Sequence, residues 1–342
     1  MNLKQLAEEL GLSQTTVSRA LNGYPEVSEG TRQRVQAAAE RYNYRPNTRA
    51  KGLATGRSMV IGHVIPASTQ HEMVNPIFGD FIAGASNACA ERGYDMMFTR
   101  VEDGDEEAAY RSLMAKGSVD GVILQGPKVQ DGRIDLLNRI GLPFAVHGRS
   151  SNVAAPYTWV DVNNTSSFRR ATEFLLDLGH RRIALINGLE SMDFAKRRRD
   201  GYLAALEAAG ISADSALMSS QEMTEVSGHH QTRDLLNGDN PPTAILSASM
   251  ISALGVRRAI EEAGMKMGKD ISVITHDDDL SYLKNGQDVP IFTATRSSVR
   301  NAGRILAQML IDRISDPLVP AQNALLEAEL VVGRSTGPAP VA

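Results

Sequence analysis

The chain has 342 residues, 42% of them hydrophobic, a length that predicts two or three folded domains. No stretch approaches the roughly 18 consecutive apolar residues of a transmembrane helix, and the N-terminal segment has no apolar signal-peptide core. The single cysteine, Cys89, excludes an intrachain disulfide framework and a cysteine-rich zinc site. We therefore expect a cytoplasmic protein with no membrane partner.

The charge is divided unevenly along the chain. Residues 1–58 hold nine Lys/Arg and five Asp/Glu, a net charge of +4, whereas the whole chain carries −4. The remaining residues therefore carry a net charge of −8. A basic head on an acidic body is typical of a head that binds a polyanion such as nucleic acid.

The first predicted elements are two short amphipathic helices. Their apolar residues recur three and four positions apart, at Leu3, Leu6, Ala7 and Leu10 and again at Val17, Ala20 and Leu21. Gly11 ends the first helix, and the Ser13 hydroxyl is a good cap for the second. Such a pair matches a helix-turn-helix, whose second helix lies in the DNA major groove. An ordinary helical hairpin in a protein core is the alternative.

The outer face of the second helix is polar and has no acidic residue. It carries Gln14, Thr15, Ser18 and Arg19. These side chains can hydrogen-bond to base edges or to phosphates, which favours the DNA-binding interpretation.

A third helix is predicted over Glu29–Asn43, with Ser28 as its cap. After a break at Pro46, a segment of about two turns contains Gly52, which weakens a helix by about 1 kcal/mol relative to Ala. A helix this short is marginal in water. We expect this segment, residues 48–55, to become ordered only against a partner; a flexible linker is the alternative.

From Met59 onward, buried strand patterns alternate with amphipathic helices. The predicted strands are Met59–Pro66, Tyr94–Val101, Gly121–Gln125, Pro143–His147, Ile183–Asn187, Ala244–Ala248 and Ile271–His276. The predicted helices are Ile77–Arg92, Asp105–Lys116, Ile134–Ile140, Ser166–Leu178, Arg198–Ala209, Thr224–Leu236 and Ser252–Ala263. This alternation predicts α/β architecture, with parallel sheets covered by helices in two doubly wound lobes in tandem.

Three segments near the C-terminus have no lobe of their own. They are Ile291–Arg296, a helix over Val299–Ile314, and Leu325–Val332. We expect these segments to return across the two lobes. The tail, residues 336–342, is rich in Pro and Ala and is predicted to be disordered.

Several motifs, in consistent order along the chain, resemble those of the LacI/GalR family of bacterial transcription repressors. LSQTTVSRALNG resembles the family's recognition helix, and VSEGTRQRV and YNYRPN resemble its third helix and the entry to its hinge helix. NPIF, LGHRRIALING, RRRDGYLAAL, PPTAIL and SVITHDD resemble its effector-domain signatures. The match covers nearly the whole chain, and it implies a DNA-binding regulator rather than an enzyme.

The resemblance implies a helix-turn-helix domain over residues 1–45, a hinge helix and linker over 46–58, and an effector-binding and dimerisation core over 59–335. The core is expected to be shaped like a periplasmic binding protein. Its N-lobe is placed at about 59–160 plus 291–320, and its C-lobe at about 161–290 plus 321–335. Three crossovers are expected near Trp159–Asn163, Ile291–Thr295 and Leu325–Val332. A small ligand is expected between the lobes, at the carboxyl ends of the strands.

The resemblance also implies which residues contact DNA. In and beside the recognition helix they are Gln14, Thr15, Thr16, Arg19 and Asn22. Glutamine pairs bidentately with adenine and arginine with guanine. In the hinge, Asn47 would cap the helix and Leu53 would wedge into the minor groove and bend the duplex. The expected partner is a palindromic double-stranded operator, bound by a homodimer.

For the effector cleft the resemblance implies Ile77, Phe78, Arg149, Asn163, Arg198, Met223 and Asp277. The chain departs from the family at two places. It has Asn163-Asn164 where the family commonly has Asp-Asn, and Ser249-Met250 where the family commonly has Asn-Asp. Fewer carboxylates and a thioether predict a neutral ligand with some apolar surface. The leading hypothesis is a sugar, such as an α-glucoside or similar disaccharide; a purine or nucleoside is the alternative.

Other functions are less consistent with the sequence. A small-molecule enzyme with an accessory DNA-binding head is the main rival, but the chain has no P-loop, GxSxG, HExxH or GxGxxG motif. The intact head and the missing signal peptide argue against a transport-type binding protein. The run His276–Asp279 contains metal-binding residue types, but consecutive residues rarely converge on one ion without further ligands. We therefore expect no metal and no cofactor.

Overall fold

The computed structural model describes residues 1–21, 23–44, 56–67, 74–277 and 279–340. The chain divides into two compact units, Met1–Met59 and Val60–Ala342. Within the described ranges, every helix is too short or too polar to cross a bilayer.

The first unit is a head of three helices, α1 (Leu3–Leu10), α2 (Gln14–Leu21) and α3 (Glu29–Arg41). The turn between α1 and α2 begins at Gly11, whose φ of 64° is in the left-handed region that glycine adopts without strain. The Ser13 hydroxyl caps α2, as predicted, by accepting the Thr16 N–H at 3.0 Å. The apolar faces of the helices meet in a small core that includes the fully buried Leu6, Val17 and Val35.

The second unit contains two mostly parallel sheets of six strands each, which confirms the predicted α/β architecture. The N-lobe sheet has the order β11-β5-β4-β3-β1-β2 and the C-lobe sheet the order β12-β10-β9-β8-β6-β7. The strands are β1 (Val60–Pro66), β2 (Asp95–Val101), β3 (Gly121–Gln125), β4 (Phe144–His147), β5 (Thr158–Val162), β6 (Ile183–Asn187), β7 (Met218–Ser220), β8 (Ala244–Ser247), β9 (Ser272–His276), β10 (Thr293–Arg296), β11 (Asn323–Leu326) and β12 (Glu329–Val331). The pairing of β10 with β12 is antiparallel.

Helices cover both faces of the two sheets. They are α4 (Pro76–Glu91), α5 (Glu106–Ala115), α6 (Gly132–Ile140), α7 (Asn164–Asp177), α8 (Asp193–Ala208), α9 (Glu225–Leu236), α10 (Met250–Glu262) and α11 (Val299–Ser315). Glycine allows α4 and α11 to pack with their backbones almost touching. A Cβ added at Gly84 would lie 1.9 Å from the carbonyl oxygen of Arg300, so any larger residue there would force the helices apart.

The chain passes between the lobes three times, close to the three predicted crossovers, but the lobe assignment beside two of them differs from the prediction. The segment Ile291–Arg296 was assigned to the N-lobe, but β10 lies in the C-lobe sheet and the crossover follows it. The segment Leu325–Val332 is not one element. It contributes to β11 in the N-lobe and to β12 in the C-lobe. Strand partners so far apart in sequence are decided by tertiary packing, which local hydrophobic patterns do not reveal.

The predicted disorder of the tail is wrong for residues 336–340, which are held by hydrogen bonds. The hydroxyls of Thr336 and Thr293 are 2.7 Å apart, and the Gly337 N–H donates to the Ser272 hydroxyl at 3.1 Å. The Ala339 N–H donates to the carbonyl oxygen of Leu178 at 2.8 Å. Composition predicted disorder because it does not reveal which polar groups of the C-lobe remain available to bind a passing chain.

Candidate functional site

The polar face of α2 is the candidate DNA-binding surface of the head. Gln14, Thr15 and Arg19 are exposed, whereas Thr16 is half-buried and its hydroxyl lies 2.9 Å from that of Ser13. Thr16 therefore helps to cap the helix as well as facing outward. The predicted DNA contacts Asn22, Asn47 and Leu53 lie outside the described residues.

The apolar face of α2, opposite the candidate DNA-binding surface, is fixed by packing inside the head. Val17 and Ala20 are fully buried against α1 and α3. The Tyr42 hydroxyl donates to the Glu9 carboxylate at 2.8 Å, which joins the end of α3 to α1. A helix supported in this way presents its outer side chains in a fixed arrangement, as recognition in a DNA groove requires.

In the second unit, a cluster of charged and amide side chains lies where the two lobes meet. Asp161, on β5 of the N-lobe, is its first member. The Asp161 carboxylate accepts hydrogen bonds from Arg149 Nε at 2.7 Å and from Asn164 Nδ2 at 3.3 Å. Burial raises the pKa of Asp161, and Arg149 opposes this shift. The Arg149 guanidinium also lies 5.0 Å from the centre of the Trp159 ring.

Arg198, on α8 of the C-lobe, is the next member of the cluster. Its side chain is buried, and it donates from Nε to Asn164 Oδ1 and from Nη1 to the Ala248 carbonyl oxygen, both at 2.7 Å. The guanidinium carbon lies 4.7 Å from the ring centre of Phe194 and 5.2 Å from that of Phe168. Burial lowers the pKa of Arg198 to about 10, so it stays charged at neutral pH.

Asp277 completes the cluster at the end of β9. Its Oδ2 lies 3.7 Å from Arg198 Nη2, and its Oδ1 accepts a hydrogen bond of 2.7 Å from the Ser297 hydroxyl. The backbone φ of Asp277 is 56°, an unfavourable value for a residue with a side chain. The Asp277 N–H donates to the Thr295 carbonyl oxygen at 3.1 Å, which helps to hold this conformation. Such strain is often found at functional sites.

We call Arg149, Asp161, Asn164, Arg198 and Asp277 the arginine cluster. It is continuous from the N-lobe to the C-lobe, and its two arginines are matched by two carboxylates. A site with balanced charges and several amide, guanidinium and carboxylate groups can bind hydroxyl groups in both donor and acceptor roles. It is suited to a neutral polar ligand rather than to an ion.

The structure brings together some of the predicted cleft residues and separates others. Met223 lies against the cluster, with Sδ 3.8 Å from Arg198 Nη1. Phe78 is buried, and its ring centre lies 5.6 Å from that of His63. Ile77 packs against the apolar core of the C-lobe. Both residues lie in the first turn of α4, where the N-lobe meets the C-lobe.

Asn163 does not join the arginine cluster. Its Oδ1 accepts the Ser166 N–H at 3.2 Å to cap α7, and its Nδ2 donates to Glu327 at 2.6 Å. Asn164 is the member of the pair that meets Arg198, since a cap residue and the next residue point in different directions, and contact between Asn163 and the effector stays a prediction. Two residues that contact Arg198 were not predicted, Asn164 and Phe194. Asn164 is the amide next to Asn163, and Phe194 lies four positions before Arg198, so the sequence held a signal for each.

A cavity of about 510 Å³ is lined mainly by N-lobe residues. It opens at the carboxyl ends of β1 and β3, and its lining includes His63, Gln125, Leu136 and, from the C-lobe, Met192. Members of the arginine cluster do not line it. The cavity has no signal in the sequence, because its walls come from several distant segments.

Hydrogen bonds join the lobes on this side of the core. The Val129 N–H donates to the Ser191 carbonyl oxygen at 3.1 Å, and the Asp193 N–H donates to that of Pro127 at 3.0 Å. The Asp193 carboxylate accepts the Ser151 N–H at 2.7 Å. These backbone contacts depend on the separation of the lobes.

No metal site accompanies these groups in the described ranges, where three or more His, Cys, Asp or Glu side chains never gather around one point. His276 is fully buried, and its Nδ1 lies 2.6 Å from the Thr295 hydroxyl.

Comparison with known proteins identifies both units. Residues 2–47 match the model described as bacterial regulatory proteins, lacI family, and residues 172–336 match a periplasmic binding protein-like domain. The chain is 46% identical over 341 residues to the HTH-type transcriptional regulator AglR of Rhizobium meliloti (strain 1021), covering 99% of this chain and 95% of AglR. It is 31% identical to the HTH-type transcriptional regulator CelR of Thermobifida fusca, covering 97% of each chain.

Solved structures agree with this assignment. A transcriptional regulator CelR–cellobiose complex has a TM-score of 0.73 at 29% identity, covering 98% of this chain and 99% of that one. A lac repressor dimer bound to operator and the anti-inducer ONPF has a TM-score of 0.81 at 29% identity, with the same coverage. The relatives are transcriptional regulators, which agrees with the prediction of a regulator rather than an enzyme. The chain belongs to the lacI family of bacterial regulatory proteins and is a helix-turn-helix, DNA-binding transcriptional regulator.

Proposed function

We propose that this regulator is a repressor whose affinity for its operator is controlled by a neutral sugar bound between the two lobes. The arginine cluster is the observation that carries this proposal. It spans the two lobes, its charges are balanced, and it offers both donors and acceptors to hydroxyl groups. A ligand held there touches both lobes and can therefore change their relative stability.

Two further facts support a sugar over a purine or nucleoside. A relative of the same fold is described in complex with cellobiose. In this chain, the Phe168 and Phe194 rings already pack against the Arg198 guanidinium, so these two rings are less available to stack on a base.

We further propose that a homodimer binds a palindromic operator through its two α2 helices, in the cytoplasm where the chromosome is found. One head exposes only a short helix face, and a second copy doubles the contacts with symmetric half-sites. Gln14, Thr15, Thr16, Arg19 and Asn22 are the proposed contacts of each recognition helix. A related repressor is described as a dimer on its operator.

Residues 46–58 are proposed to couple the two units. Asn47 would cap a hinge helix and Leu53 would enter the minor groove, so the hinge would become ordered only on DNA. A change in lobe separation would then alter the free energy of ordering the two hinges, and this would link the sugar to the operator.

The test selects binding sites from random duplex DNA with the purified full-length chain. The selected duplex is then titrated by fluorescence anisotropy with maltose, sucrose, trehalose, cellobiose, ribose, adenosine or guanine present. We expect an inverted repeat and a change in operator affinity with a neutral sugar. A site without two-fold symmetry would contradict the dimer, and a response to adenosine or guanine alone would contradict the sugar.

A further inference from the structure

The helix α8, which carries Phe194 and Arg198, begins without a side-chain cap. Met192 occupies the cap position, and its thioether side chain accepts no hydrogen bond from the first turn. The first backbone N–H groups of a helix have no partner inside the helix. One of them, the N–H of Asp193, instead donates to the Pro127 carbonyl oxygen of the N-lobe at 3.0 Å. The N-lobe therefore supplies a partner that this C-lobe helix lacks.

The side chain of Asp193 binds a second loop of the N-lobe. It is fully buried, and its Oδ2 accepts the Ser151 N–H at 2.7 Å. Arg197, one turn further along α8, donates from Nε to Oδ1 of the same carboxylate and from Nη2 to the Ser151 hydroxyl at 3.0 Å. The buried negative charge is thus paired with a guanidinium inside its own helix, and the hydrogen bond to Ser151 is charge-assisted. One residue therefore ties two N-lobe loops to the start of α8.

The two N-lobe loops are also joined to each other. The Val129 carbonyl oxygen accepts the Asn152 N–H at 3.1 Å and the Ser150 hydroxyl at 3.0 Å. The Val129 N–H points the other way and donates across the lobes to the Ser191 carbonyl oxygen at 3.1 Å. We call this connected set the interlobe clasp. Its members are Pro127, Val129, Ser151, Ser191, Asp193 and Arg197.

The clasp fixes the same turns of α8 that contribute to the arginine cluster. Arg198 lies five residues after Asp193, where it donates to Asn164 and approaches Asp277. A wider separation of the lobes would take the N-lobe partners away from the N–H and the carboxylate of Asp193. Leaving buried polar groups without partners costs free energy. The clasp therefore favours the arrangement of the lobes in which the arginine cluster is assembled.

We propose that Asp193 is a positioning residue of the switch, which sets the affinity of the chain for its operator before any effector binds. The inference rests on the proposed control by an effector. A ligand that binds the assembled arginine cluster stabilises the same arrangement of the lobes as the clasp does. The two therefore shift the operator equilibrium in the same direction. Loss of the clasp shifts operator affinity in the direction opposite to the effector, whether the effector releases DNA or promotes its binding.

The experiment titrates the selected operator with the full-length chain by fluorescence anisotropy. Maltose, sucrose, trehalose, cellobiose, ribose, adenosine and guanine are each added in turn. In Asp193→Ala, the compound that acts on the wild type should bind about tenfold more weakly. Operator affinity without it should differ from wild type by about threefold or more, opposite in sign to the effect of that compound on the wild type. Asp193→Asn keeps an oxygen that can accept the Ser151 N–H and should restore most of both values.

Because Asp193 is buried, a second variant breaks the clasp and leaves that side chain in place. Val129→Pro removes the N–H that reaches Ser191. Lys128 pairs with Met192 in an antiparallel bridge, an extended conformation that suits the residue before a proline. Val129→Pro should shift both affinities in the same directions as Asp193→Ala, whereas Val129→Ala keeps the N–H and should match the wild type.

Two further measurements separate positioning from general stability. Asp200→Ala is the matched control, because it removes a half-exposed carboxylate on α8 that pairs with Lys196 at 2.8 Å. It should leave both affinities unchanged. Hydrogen exchange at the amides of Ser151 and Asp193 should be slow in the wild type and faster in Asp193→Ala and Val129→Pro. Exchange in the buried strand β8 should stay slow in all of them, because the C-lobe core does not depend on the clasp.

Each other outcome overturns the inference. Operator affinity that is unchanged in both clasp variants, or that shifts in the same direction as the effector, would show that the clasp does not set the switch. Fast exchange at Ser151 in the wild type would show that the clasp does not persist in solution. A wild type that responds to no compound of the panel contradicts the proposed function instead. The clasp would then be judged without effector, where Asp193→Ala and Val129→Pro are required to shift operator affinity in one common direction.

Discussion

The Asp80 carboxylate, on α4 of the N-lobe, accepts a hydrogen bond of 2.7 Å from the backbone N–H of Ser281 in the C-lobe. Its other oxygen accepts a 2.8 Å hydrogen bond from the guanidinium of Arg300, on α11. Desolvation raises the pKa of Asp80, but the hydrogen bonds from Ser281 and Arg300 outweigh it and the pKa is lowered overall. This carboxylate therefore acts as a charged link between the lobes.

The first prediction is that Asp80→Ala weakens effector binding by about tenfold, or about 1.4 kcal/mol. Without the link, the arrangement of lobes that holds the ligand becomes less populated, and the apparent affinity falls with that population. Calorimetry with the effector measures the change. Asp80→Asn is the control, because its amide oxygen can still accept the Ser281 N–H and most of the affinity should remain. Wild-type affinity in Asp80→Ala would show that this link does not influence closure.

The second prediction concerns the arginine cluster. Arg198→Ala and Asp277→Ala should each abolish or strongly weaken the response to the effector, while operator binding without effector stays close to wild type. Removal of one charged partner typically costs about 2–5 kcal/mol when its mate remains buried. Operator anisotropy with and without sugar is the measurement. Arg169→Ala is the control, because it removes an exposed arginine that pairs with Glu173 on α7. This variant should respond to the sugar like the wild type. If both cluster variants respond at wild-type sugar concentrations, the cleft is elsewhere.

The third prediction concerns the recognition helix. Gln14→Ala should reduce discrimination between the selected operator and variants changed at one base pair, by about 1–3 kcal/mol at that position. Effector affinity measured without DNA should not change. Gln33→Ala is the matched control, since Gln33 is exposed on α3 and donates to Glu29 at 3.2 Å. Uniform weakening on all sequences would instead indicate that Gln14 contacts the phosphate backbone.

The fourth prediction tests the hinge, which lies largely outside the described residues. Leu53→Ala should lose specific operator affinity but keep its effector affinity. Gly52→Ala should tighten DNA binding and reduce the effect of the ligand, by up to about 1 kcal/mol per subunit, because alanine favours a helix. Operator titrations of both variants, and hydrogen exchange over residues 46–56 with and without DNA, test this. Strong protection of the hinge in the free protein would contradict the mechanism.

The fifth prediction concerns acid stability. Burial lowers the pKa of His63 to about 4 from its ordinary value near 6.5. The unfolded chain takes up this proton as the pH falls through 6.5, whereas the folded chain does so only near 4, so the free energy of unfolding decreases across that interval. One histidine accounts for about 3 kcal/mol once the pH is below 4. Burial also lowers the pKa of His147 to about 4, which acts in the same direction.

Urea denaturation at pH 7, 5.5 and 4.5 measures this dependence. His63→Phe should show a smaller loss of stability on acidification than the wild type. His230→Phe changes an exposed histidine and should retain the wild-type loss. An unchanged pH profile in His63→Phe would mean that the pKa of His63 is the same in the folded and unfolded chains.

Much of the architecture was predictable because the local signals were strong. The strands Gly121–Gln125 and Ile183–Asn187 have the predicted bounds, since each is a short apolar run that is buried along almost its whole length. The start of α8 was missed by five residues. Its first turns contain the buried Asp193 and Arg198 instead of an apolar stripe, so a periodicity of hydrophobic residues could not mark them.

The candidate site was less predictable than the fold. The family resemblance predicted Arg198 and Asp277 as cleft residues. It did not predict their hydrogen-bond partners, because these depend on the three-dimensional packing of distant segments. A shift of one residue at the start of α7 decides whether Asn163 or Asn164 meets Arg198. The cavity could not be predicted, because β1, β3, α6 and the segment before α8 form it together.

The path of the last strands has a consequence for synthesis and truncation. β11 forms the outer edge of the N-lobe sheet and β12 that of the C-lobe sheet, although they are only two residues apart in the chain. A nascent chain emerges from the ribosome with its N-terminal part first. Neither lobe can therefore acquire its complete sheet until residues 323–331 have left the ribosome. A premature stop after Asp316 would remove one edge strand from each lobe and would damage both at once.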